Sequence, residues 1–109
     1  MSSRARAAIA NPATEAYVSM VSAWELAILE GLARVRLGVP LATLFTEGLA
    51  ALRIRLLPIQ LQHVAALPAL PLRHRDPFDR MLIATALTEK LTLVSGDRAF
   101  KEYDAPVLW

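Results

Sequence analysis

No cysteine occurs in this chain. Disulfides, thiolate zinc sites and cysteine nucleophiles are therefore excluded together. Glycine is scarce too: the four present form no phosphate-cradling loop and no G-x-S-x-G elbow. No apolar run approaches the ~18 residues that a membrane-spanning helix needs. The opening MSSRARAAIA carries arginines without the apolar stretch of a secretory signal. Only two histidines are present, and His63 and His74 do not have a paired zinc-ligand spacing. His63 reads as an exposed helix residue and His74 as part of a basic loop. The lack of cysteine fits a cytoplasmic protein.

What remains is rich in core-forming material. Hydrophobic residues make up 55% of 109 residues, ample for one packed domain spanning 1–109 and too many for disorder. Net charge is only +2, yet arginine supplies most of the 12 cations. Its planar fork suits phosphate contacts, although a GC-rich genome would enrich it as well.

Four short β-type runs stand out: Tyr17–Met20, Ile54–Ile59, Leu91–Ser95 and Pro106–Trp109. Between them lie helical segments at Ser3–Ala10, Ser22–Ala33, Pro40–Leu52, Gln60–Pro68 and Pro77–Lys90. Asn11-Pro12 stops the first helix, and Ser22 is placed to cap the second. This alternation predicts an α/β layer fold with a mainly parallel sheet. The helix Pro40–Leu52 carries apolar residues over more of its circumference than one core face needs.

The stretch RDPFDRMLIATA (75–86) opens an apolar helix with two carboxylates. Asp76 is placed to cap it, Pro77 suits the first helical position, and Asp79 sits where the helix dipole favours negative charge. A second role arises from topology. Ligands of parallel sheets bind beyond the carboxyl ends of the strands. Glu25 follows the strand YVSM, Asp97 follows LTLVS, and the Asp76/Asp79 helix starts at the same end as Asp97. Four acids are thereby directed to one rim. Like charges so gathered need neutralising, either by Arg75, Arg80 and Arg98 or by a divalent cation. All-oxygen donors suit Mg²⁺ or Mn²⁺, and a cation so held suits phosphodiester hydrolysis.

Three stretches, YVSMVSAWELAI (17–28), HRDPFDRMLIATAL (74–87) and LTLVSGDRAFKEYDAPVLW (91–109), together resemble the PIN-domain ribonucleases, specifically the VapC-type toxins of toxin–antitoxin pairs. The resemblance implies a three-layer fold and an Mg²⁺- or Mn²⁺-dependent endoribonuclease. It implies Glu25, Asp79 and Asp97 as metal-binding catalytic acids, Asp76 as the helix cap, and Ser95 as the hydroxyl of the turn before Asp97. It further implies an RNA substrate, a cognate antitoxin and a homodimer. Arg73, Arg75, Arg80 and Arg98 are the candidates for meeting RNA phosphates.

The family pattern also begins with a central apolar strand ending in a metal-binding aspartate, and the sequence offers no match to it. The expectation is an N-terminally truncated PIN-like domain whose activity is impaired or lost. The alternative is a non-catalytic remnant that binds an antitoxin or self-associates.

Overall fold

The computed structural model describes residues 2–71, 76–97, 100, 103 and 105–109. Its elements are α1 (Ser3–Ala10), β1 (Ala16–Ser19), α2 (Met20–Gly31), α3 (Leu41–Thr43), α4 (Leu49–Ala51), β2 (Ile54–Leu57), α5 (Leu61–Ala65), α6 (Pro77–Glu89), β3 (Leu93–Val94) and β4 (Val107–Leu108). A π-helical stretch, Leu44–Gly48, joins α3 to α4, and a 3₁₀ turn, Leu67–Ala69, follows α5. Mixed helices and parallel strands give the α/β class expected.

The chain forms two compact units, residues 15–58 and residues 1–14 with 59–109. In the first, β1 and β2 pair in parallel, with Ala16 opposite Ile54 and Ser19 opposite Leu57. The Ser19 hydroxyl accepts the Val21 N–H at 3.1 Å, so α2 starts at Met20. The helix thus begins earlier than Ser22, and Met20 belongs to it and not to the strand. A nearer hydroxyl satisfies the helix's orphan donors first.

The segment expected as one helix over Pro40–Leu52 is interrupted by a wider turn. Leu49 N–H reaches Leu44 O, and the Thr46 hydroxyl donates to Ala42 O at 2.7 Å. A threonine bonding back to the preceding turn perturbs the regular ladder. Arg53, left-handed at φ 58°, then turns the chain into β2.

In the second unit, α6 lies over β3 and β4. Ile83, Phe100, Tyr103 and Ala105 are buried there, with Leu70, Leu82, Leu93 and Val107 packed around them. β3 and β4 are parallel, Leu93 opposite Val107 and Val94 opposite Leu108. The ladder is flanked by Leu93 N–H to Pro106 O at 2.9 Å and Ser95 N–H to Leu108 O at 3.2 Å. It is shorter than the apolar runs that form it. Pro106 has no N–H to give, so two-way pairing begins only at Val107.

His63 departs from expectation. It is fully buried, not exposed. Its Nδ1 accepts the Gln60 N–H at 3.1 Å and its Nε2 lies 2.7 Å from Glu89 Oε1. With Nδ1 accepting, the ring proton sits on Nε2 and is donated to the carboxylate. The Gln60 side chain in turn accepts from the His63 backbone, completing a reciprocal cap at the start of α5.

Candidate metal and RNA site

The second unit carries two of the three acids that the resemblance implies. Asp79 lies half-buried in the first turn of α6. That turn is anchored by Asp76, whose Oδ1 accepts the N–H groups of Phe78 at 2.9 Å and Asp79 at 3.4 Å. The capping role expected of Asp76 is thus observed, and it leaves the backbone of Asp79 held by its neighbour's carboxylate.

Asp97 is exposed in the turn that leaves β3. Its N–H donates to the Ser95 hydroxyl at 3.1 Å, and its carbonyl accepts from Phe100 N–H at 3.4 Å. Ser95 is itself tied to β4 through Leu108. The hydroxyl before the acid therefore shapes the turn, fixing Asp97 relative to the sheet end.

α6 runs to Lys90, and the chain then turns into β3 of the same unit. Lys90 makes that turn in a left-handed conformation at φ 57°. Asp79 and Asp97 thus belong to the same unit, one in the first turn of α6 and the other just past β3. Glu25 belongs to the other unit, half-buried in the second turn of α2, with Ala23 buried beside it and Trp24 exposed.

Arg80 has a structural role. Its guanidinium donates to Pro71 O at 2.9 Å, to Leu67 O at 3.2 Å and to the Tyr103 hydroxyl at 3.5 Å. It fastens the 3₁₀ turn to α6. Arg73, Arg75 and Arg98, together with His74, lie outside the described residues.

The PIN domain family model matches residues 2–106. The chain belongs to the PIN-domain family. Curated proteins and solved structures give no match. PIN domains have nuclease function as a general property, typically bind RNA and generally depend on divalent metal ions. The donor chemistry of this PIN domain fits such an ion, because Glu25, Asp79 and Asp97 offer only hard carboxylate oxygens. Among the described residues no group of three or more histidine or acidic side chains gathers closely enough to hold a metal. Nor is any helix there long and apolar enough to cross a membrane.

Two features of this unit were not read from the sequence. The buried His63–Glu89 pair had a signal in Gln60-x-x-His63, which has capping-box spacing. The second is the indole of Trp109. A Cβ on Gly96 would stand 2.8 Å from its Cε2, so the ring lies against the turn that carries Asp97. Nothing in local periodicity points to that contact.

Proposed function

We propose that this PIN domain is a metal-dependent endoribonuclease of the VapC toxin type. Glu25, Asp79 and Asp97 hold Mg²⁺ or Mn²⁺, and Ser95 and Asp76 position the last two. What supports this reading is the match to the PIN family over residues 2–106, together with the local anchoring of Asp79 by the Asp76 cap and of Asp97 by the Ser95 hydroxyl. Bound metal would supply an activated water and shield the phosphate's developing charge. The chain's own residues set the acids in place, and Arg73, Arg75 and Arg98 meet the RNA backbone. The test is cleavage of single-stranded RNA by the full chain with Mn²⁺, against EDTA. Metal-stimulated cleavage that falls about 100-fold or more in Asp79→Asn and Asp97→Asn supports it. Cleavage indifferent to both the chelator and the substitutions would refute it.

A second reading, a non-catalytic module that binds an antitoxin or a second copy, is favoured by one surface feature. Met20, Trp24, Ile28 and Leu32 recur every fourth residue along α2 and its cap, exposed by 37, 55, 40 and 62%. Such an apolar stripe is what a protein partner covers. The two readings are compatible, since a toxin also binds its antitoxin.

A further inference from the structure

We propose that Trp109 is the platform on which an RNA base stacks beside Asp97. The inference rests on the nuclease reading and adds a substrate-binding residue to it. The parallel register sets Leu108 opposite Val94, and the Ser95 N–H to Leu108 O bond ties the two strand ends together. The next residue of β4's chain is thereby delivered to the turn Ser95-Gly96-Asp97. There the indole lies flush on the backbone: a Cβ at Gly96 would meet Cε2 at 2.8 Å, Cζ2 at 3.0 Å and Nε1 at 3.1 Å. Gly96 does not have positive φ, so glycine is needed here for close approach and not for a left-handed turn.

Trp109 is nevertheless 44% exposed. One part of the ring is pinned against Gly96 while a large aromatic surface stays open to solvent. The buried part of the indole secures it on the turn, and the exposed part is free to meet a ligand. That combination suits a stacking surface, which must be rigid and bare. Proteins that take single-stranded RNA stack unpaired bases on aromatic side chains beside groups that contact the backbone. An RNA backbone passing the Asp97 turn would bring the base of a nearby nucleotide within reach of the indole. The stack carries little sequence preference, since every base has a π-face.

The test uses the full chain with Trp24→Phe, which leaves Trp109 the sole tryptophan of the two. The protein is titrated in EDTA with an eight-nucleotide oligoadenylate, reading indole emission and affinity. Expected are quenching on binding, about ten-fold weaker affinity (roughly 1.4 kcal/mol) in Trp109→Ala, and near recovery in Trp109→Phe. Gly96→Ala drives a methyl into the ring and gives a similar loss with the indole still present. Circular dichroism and thermal midpoint verify folding of each variant, and quenching in the parent is read independently of them.

Absence of quenching, or unchanged affinity in a folded Trp109→Ala, overturns the proposal. So does a Trp109→Ala variant that keeps RNA affinity but loses self-association, since the indole would then be a protein contact. Failure of the nuclease reading is seen elsewhere: metal-dependent hydrolysis untouched by Asp97→Asn would remove it while quenching in EDTA persisted.

Discussion

At the scale of single residues, the buried His63 shows how one side chain can hold two elements. It fills a fully buried position, satisfies the Gln60 N–H and donates to Glu89 across the α5–α6 contact. Removing it strands a backbone donor and leaves a void. His63→Ala is expected to cost about 2–3 kcal/mol, read from chemical denaturation. Glu89 adds a pH dependence. The hydrogen bond from His63, helped by one from Gln62, holds its carboxyl below the ordinary value of 4.5, while partial burial acts the other way. A folded-state value below the unfolded one contributes stability above pH about 4.5, and that stability is lost as pH falls through the folded value. Glu89→Gln should flatten that part of the acid limb in a denaturation-midpoint profile, and an unaltered limb would contradict the assignment. The sequence concealed this pair because a lone histidine on a polar stretch reads as solvated. Burial came from tertiary packing of α5 on α6, which local pattern does not carry. Asp76 was legible for the opposite reason: capping is a local interaction, written in D-P-F-D itself.

At the scale of elements, α1 occupies the segment its pattern indicates, and α6 differs only at its C-terminal residue, because caps and breakers are near-neighbour signals. The interrupted helix over residues 41–51 and the two-residue strands β3 and β4 were not legible. The first depends on where Thr46 places its hydroxyl and the second on the missing N–H of Pro106. Asp76→Ala is expected to lower stability by about 1 kcal/mol through the lost bonds to Phe78 and Asp79. Asp76→Asn, which keeps an acceptor oxygen, should lose much less. The apolar stripe of α2 makes a separate prediction. Ile28→Glu places a charge mid-stripe at a position already 40% exposed, so the fold should survive. Sedimentation or size-exclusion profiles should shift toward the smaller species if the stripe carries self-association, and an unchanged profile argues against that surface.

At the scale of the whole molecule, a compositional outline was enough to foresee an α/β protein. The PIN family match over residues 2–106 agrees with that outline. The site itself was only partly legible. Asp79 and Asp97 sit on local motifs, a capped helix start and a hydroxyl-braced turn. Glu25 lies in the other unit, and any long-range grouping of acids is a property that no short stretch encodes. Arginine-rich composition pointed to phosphate, yet Arg80 is committed to Pro71 and Leu67 carbonyls. Charge counting alone does not separate a guanidinium that binds RNA from one that fastens a turn.

Calorimetric titration of the full chain with Mn²⁺, alongside Glu25→Gln, Asp79→Asn and Asp97→Asn, bears on the central claim most directly. Saturable uptake by the parent is expected, with affinity lowered about ten-fold or more in every variant, each having lost a ligand oxygen. No uptake by the parent, or equal uptake by all four proteins, would contradict that claim.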